Sequence, residues 1–199
     1  MNEKTKTVRD AENSTNSSTG LMRRLEKLYD AGGVRRMHTI PTVRTHTIAE
    51  HVYGSMLIAV ELFKLNVKVV AAEGLSLSWE RVMQALLVHD APEVDTGDIP
   101  APVKRASFAI EHALEVMEAE FYQEYAVDTR LLNSLEADIV KAADILDLVF
   151  NCVRERLMGN RHPRLGVVYD NAQRYAAEKV HLKGVVEMKM YLAKVWGSV

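Results

Sequence analysis

The stretch from Gln84 to Pro100 constrains this 199-residue chain more than any other. Val82, Ala85, Leu86 and His89 recur at i, i+3, i+4 and i+7, so the histidine continues the apolar face of a helix. Asp90 follows it directly, and Glu93, Asp95 and Asp98 come within the next nine positions. Burying an imidazole among several carboxylates is costly unless a cation or hydrogen bonds compensate them. A metal ion is the simplest compensation.

The flanking sequence reads as helical throughout. Leu21, Leu25 and Leu28 share one face of a helix that Gly32-Gly33 ends. Thr47-Ile48-Ala49-Glu50 has the form of a capping box, and the helix it starts runs to about Leu65. Its inward side carries His51, Ser55, Ile58 and Leu62. Val67 to Ser76 reads as a connector, with Ser78 capping a helix from Trp79 to His89. Ser107 to Tyr125 is a further helix with Ile110, Leu114, Met117 and Phe121 on one stripe and Glu111, Glu115 and Glu118 on a solvated outer face.

In Leu131–Met158, Asp144 interrupts an almost continuous apolar run, whereas Asp147 suits either a solvated end of that face or a group supporting a site. Two helices close the chain. The last, Val185 to Trp196, carries Val185, Met188, Leu192 and Val195, for the core or for a subunit contact. No segment alternates with period two, so the fold class is all-α. Residues 1–19 are polar and read as a mobile tail, leaving 20–199 as one domain.

Composition narrows the function. A net charge of -2 argues against a nucleic-acid polymer as partner, and no apolar run spans a membrane or forms a signal peptide. One cysteine, Cys152, in an apolar helical run, is an inert thiol and fits a cytoplasmic setting. There is no zinc-protease motif, serine-hydrolase elbow, P-loop or dinucleotide-binding glycine pattern. What remains is His51, His89-Asp90 and Asp144, nitrogen and oxygen donors from three helices, which suit a borderline or hard divalent ion. The segment Val34–Arg44 holds three arginines and serves as a solvated loop or a phosphate-facing one.

This ordered set resembles the HD-domain metal-dependent phosphohydrolases, which are single all-helical bundles. Arg44-Thr45 leading into Ala49-Glu50-His51, then His89-Asp90-Ala91-Pro92-Glu93-Val94, Thr96-Gly97-Asp98-Ile99-Pro100-Ala101-Pro102-Val103-Lys104 and Lys141-Ala142-Ala143-Asp144, is similar to the bacterial 5′-deoxynucleotidase branch. Small phage dATP triphosphohydrolases resemble the same branch. The resemblance implies that His51, His89, Asp90 and Asp144 bind a divalent ion (Co, Mn or Zn), with Glu93 as acid/base and Asp98 arranging water and sugar. Arg36 matches the family's phosphate-contacting arginine. Met37 stands where the bacterial nucleotidases have tryptophan at the sugar pocket. Lys104 and Lys141 are substrate contacts or solvated lysines.

The implied reaction is hydrolysis of a deoxynucleoside 5′-monophosphate. The alternative is release of triphosphate from a deoxynucleoside triphosphate, for which Arg35, Arg36, Lys104, Arg105 and Lys141 offer the extra cations. A non-catalytic nucleotide-binding domain ranks lower, because Glu93 and all four ligand positions are present. Resemblance also implies a homo-oligomer.

Overall fold

The computed structural model describes residues 18–72, 76–125 and 132–199. Among them run nine helices: α1 (Ser18–Ala31), α2 (Ile48–Ala72), α3 (Trp79–Val88), α4 (Glu93–Thr96), α5 (Ala101–Lys104), α6 (Phe108–Glu124), α7 (Ser134–Leu157), α8 (Pro163–Ala177) and α9 (Val185–Gly197). The all-α expectation holds, and the extended pairing among the described residues is a single Arg35–Thr47 bridge.

The central element is α7, which packs against α2, α3, α8 and α9. Asn133 and Glu136 form a capping box at its start, satisfying N–H groups that the first turn leaves unpaired. Ile139, Leu146 and Val149 of α7 are fully buried against Leu62 of α2, Leu86 of α3 and Leu192 of α9. Each such leucine contributes about 2 kcal/mol relative to an exposed one. A smaller cluster of Ala31, Ala91, Phe121 and Tyr125 ties the ends of α1 and α6 to the segment after α3.

Four expectations change. Helix α2 continues to Ala72, through much of the expected connector. Asn66 explains part of this, since its amide donates to the Leu62 carbonyl and accepts from the Lys183 N–H, anchoring α2 to the chain before α9. Helix α1 begins at Ser18, so positions 18 and 19 of the expected tail are helical, while 1–17 lie outside the described residues. The apolar stripes of α1 and α6 are largely uncovered: Leu21, Leu25, Ile110 and Met117 are exposed, whereas Phe121 is buried. Glu118, expected in solvent, is only half-exposed. In α9, Val185 and Leu192 are buried and Met188 and Val195 pack on the same core, which assigns that stripe to the fold.

Candidate metal and phosphate site

His51 lies in the first turn of α2, oriented by the Thr47–Glu50 capping contacts, with its ring wholly buried. Its Nε2 stands 3.3 Å from Nε2 of His89, 3.3 Å from Oδ1 of Asp144 and 3.4 Å from Oδ2 of Asp90. His89 Nε2 is in turn 3.2 Å from the same Asp90 oxygen. Three helical segments thus bring two imidazoles and two carboxylates around His51 Nε2; donor atoms of His51, His89 and Asp90 lie within 4.8 Å of one another, and Asp144 joins them through His51.

The other nitrogen of each ring is occupied. His89 Nδ1 lies 2.8 Å from the Leu86 carbonyl, and His51 Nδ1 lies 2.7 Å from Oδ2 of Asp147. Carbonyl and carboxylate oxygens accept, so both Nδ1 atoms carry a proton and both Nε2 atoms face the shared gap, where a cation would take the place of any second ring proton. Burial pushes the His51 imidazolium down, but Asp144 and Asp147 raise its pKa to about 9. Burial works against the Asp144 carboxylate too, yet His51, Lys141 and His89 hold it well below the ordinary range. The gap calls for positive charge and is lined by nitrogen and oxygen donors. A divalent ion meets both requirements.

The loop before α2 is folded back on itself, with Arg36 N–H donating to the His46 carbonyl at 2.8 Å. This turns the buried Arg36 guanidinium onto Asp90, with Glu93 Oε2 3.9 Å away. Met37 has a positive φ of 54°, and its N–H donates to Oδ2 of Asp98 at 2.8 Å. Glu93 opens the short α4. Its Oε1 accepts from Lys104 Nζ at 3.2 Å, and its Oε2 is buried without a hydrogen bond. Burial, then the charge of Asp90, lifts the Glu93 carboxyl to about 7. Lys141 Nζ donates to Asp144 Oδ2 at 2.6 Å from the preceding turn of α7.

The ten residues to which the resemblance gives a ligand, acid/base or substrate position stand in one connected cluster, whereas Asp95 pairs with Lys27 of α1. Lys104 and Lys141, ambiguous in sequence, both pair with carboxylates of that cluster. Arg35 instead donates to Thr42, and Arg105 stacks 4.4 Å from the centre of the Tyr175 ring. Beside Glu93 a cavity opens towards α6, walled by Leu114, Met117, Glu118 and Phe121.

Sequence reasoning left out His46, which is buried beside Asp147, and Tyr122, whose hydroxyl donates to the His89 carbonyl at 2.9 Å. The first lies in an aperiodic loop and the second on a helix whose signal was its apolar stripe. The sequence leaves the role of Asp147 open, although its i+3 spacing from Asp144 is a usable signal.

A family model described as 5′-deoxynucleotidase YfbR-like matches residues 22–199. The chain belongs to the YfbR-like 5′-deoxynucleotidase family. Among curated relatives, the 5′-deoxynucleotidase ECA3034 of Pectobacterium atrosepticum is 32% identical over 141 residues, covering 64% of this chain and 69% of the relative. That of Erwinia tasmaniensis is 30% identical, covering 64% and 70%. An HD-domain phosphohydrolase from Listeria innocua superposes with a TM-score of 0.68 at 23% identity, covering 87% of this chain and 86% of that one. The cyanophage S-2L HD phosphohydrolase, solved with dA and one catalytic Zn²⁺, gives 0.59 at 18% identity, covering 87% and 96%. These two likenesses show the fold.

Proposed function

We propose that the chain hydrolyses deoxynucleoside 5′-monophosphates to deoxynucleoside and phosphate at a divalent metal held by His51, His89, Asp90 and Asp144. The observation that carries this is the convergence of two imidazole Nε2 atoms and two carboxylates beside the buried Glu93 and Arg36. Family membership supports the reaction, and the dA- and Zn²⁺-bound phage neighbour supports a deoxynucleoside ligand and makes Zn²⁺ a candidate alongside Co²⁺ and Mn²⁺.

When bound, the ion polarises a phosphoryl oxygen and lowers the pKa of a coordinated water. The chain supplies the rest. Arg36 offers its guanidinium to the phosphate oxygens, and Lys104 and Lys141 add charge on either side, which stabilises the negative charge of phosphoryl transfer. Water oxygen bonds to phosphorus while the P–O5′ bond breaks. Glu93, with a pKa of about 7, exchanges a proton with the attacking water or the departing O5′. Asp98, held by the Met37 N–H, faces the sugar.

A monophosphate is favoured over a triphosphate because Arg35 and Arg105 are engaged with Thr42 and Tyr175, outside the carboxylate cluster. The uncovered apolar residues of α1 and α6 support a homo-oligomer. No helix among the described residues is long and apolar enough to cross a membrane, and the buried free thiol of Cys152 suits the cytoplasm.

The test is incubation of Mn²⁺- or Co²⁺-loaded protein with dAMP and dATP separately, resolving products by chromatography. Phosphate and deoxyadenosine from dAMP are expected. Triphosphate from dATP with dAMP untouched would transfer the chain to the triphosphohydrolases.

A further inference from the structure

We propose that Asp147 is a positioning residue that fixes the ring of His51, with His46 and Gly54 shaped around its carboxylate to keep it there. The proposal rests on His51 being a metal ligand and goes beyond the four ligand positions. An imidazole that binds an ion through Nε2 must carry its proton on Nδ1, and that N–H needs an acceptor. The His51 ring is wholly buried, so water is no substitute. Asp147 accepts at 2.7 Å, one helical turn beyond Asp144 on α7. One helix therefore supplies both a ligand and the brace of another ligand.

Two further features enclose the Asp147 carboxylate. Gly54 lies one turn after His51 on α2, and a Cβ built there falls 1.9 Å from Oδ1 and 2.8 Å from Cγ of Asp147. Any other residue at 54 displaces the carboxylate. On the far side the buried His46 ring has no hydrogen bond on either nitrogen, and its Nε2 stands 3.6 Å from the same Oδ2 that holds His51. The His46 and His51 rings meet edge-on at 78°, closing the pocket over the carboxylate.

The same three residues also have the makings of a second cation site, because their donor atoms lie within 4.8 Å of one another. The 2.7 Å contact argues against it. That separation is a hydrogen bond, and an ion there would need His51 stripped of both ring protons to bridge two metals.

The experiment measures Zn²⁺ affinity by chelator competition in the full chain, alongside the ring tautomer of His51 by ¹⁵N–¹H correlation. Asp147→Asn replaces the obligate acceptor with an amide that can donate to Nδ1, favouring the tautomer whose Nε2 lone pair is lost. About 10–100-fold weaker binding is expected, with the Nδ1–H signal diminished. Gly54→Ala leaves every ligand and charge in place and should weaken binding in the same direction, so it carries the test if Asp147→Asn does not fold. Asp144→Asn is the reference for loss of a ligand. Affinities within twofold of the parent in both Asp147→Asn and Gly54→Ala, with Asp144→Asn impaired, overturn the proposal. Two ions per chain, falling to one in Asp147→Asn, overturn it in favour of the second site. Unchanged affinity in Asp144→Asn removes the metal-centre reading and this proposal together.

Discussion

The N–H of Met37 and the carboxylate of Asp98, 61 positions apart, are joined at 2.8 Å, and Met37 adopts a φ of 54° to make the bond. Left-handed backbone is unfavourable for residues with a Cβ, and worse for β-branched ones. Met37→Asn, which tolerates this region, is therefore expected to be about 1–3 kcal/mol more stable than Met37→Val, both having lost the Met37 packing on the core and the contact of its Sδ with Asn151. Urea denaturation of the two variants checks the ordering, and equal stabilities would contradict it.

In the proposed reaction Arg36 would bridge substrate and site, its guanidinium bonding Asp90 and lying 3.9 Å from Glu93. Replacing it removes a preorganised cation, an effect typically about 10²–10³-fold in rate. Arg36→Ala should lower kcat/KM for dAMP on that scale. Arg36→Lys should recover only part of it, because an ammonium lacks the forked geometry. Steady-state kinetics distinguish the two.

Lys104 tunes Glu93. Its ammonium, 3.2 Å from Oε1, favours the carboxylate and so opposes the burial that lifts this group to about 7. Lys104→Met takes away that positive charge, and the Glu93 pKa rises further. Whichever limb of the pH–rate profile reports Glu93, it should move to higher pH in the variant, and a shift to lower pH would refute the coupling.

Glu136 holds three segments at once, accepting from the N–H groups of Ser78 and Asn133 and from the Arg81 guanidinium. Burial raises its carboxyl, but these donors outweigh it and hold the pKa below the ordinary 4.5. A lowered folded pKa means the contribution is complete above the unfolded value and disappears as pH falls through the folded one. Stability should decline below about pH 4.5 with a component that Glu136→Gln lacks. Glu136→Ala should cost about 1–3 kcal/mol, chiefly by leaving the cap N–H groups of Ser78 and Asn133 without their acceptor, since the partly exposed Arg81 is hydrated instead. Thermal melts across pH 3–7 (roughly the span of carboxylate titration) test both.

Cys152 is buried, and burial pushes its thiol up to about 12. The native protein should not react with a thiol reagent at neutral pH, while the urea-unfolded chain should react stoichiometrically.

How much of this the sequence discloses depends on what each residue interrupts. His51, His89 and Asp144 sit inside apolar helical runs, where an ionisable group has no place without a partner, so they stand out. Arg36 and Met37 lie in an irregular loop and acquire meaning only through family resemblance. His46 carries no periodic signal, and its place beside Asp147 comes from the packing of α2 against α7. Periodicity also identifies an apolar face without saying what covers it, which is why the stripes of α1 and α6 are legible in the sequence while their exposure is not. The length of α2 escaped because the contact that anchors it, between Asn66 and Lys183, spans 117 positions.

Helix α7 presents Asp144 and Asp147 to the site while Leu146 and Val149 fill the core. Packing and chemistry consequently share a single phase. One residue inserted into α7 ahead of Asp144 rotates everything beyond it by about 100°, withdrawing both carboxylates and the core side chains together. A scaffold built this way has little freedom to retune its ion by sliding that helix. Changes of substrate would fall to the loops at Arg36-Met37 and Gly97–Pro100, which lie outside α7 and can alter without changing its phase.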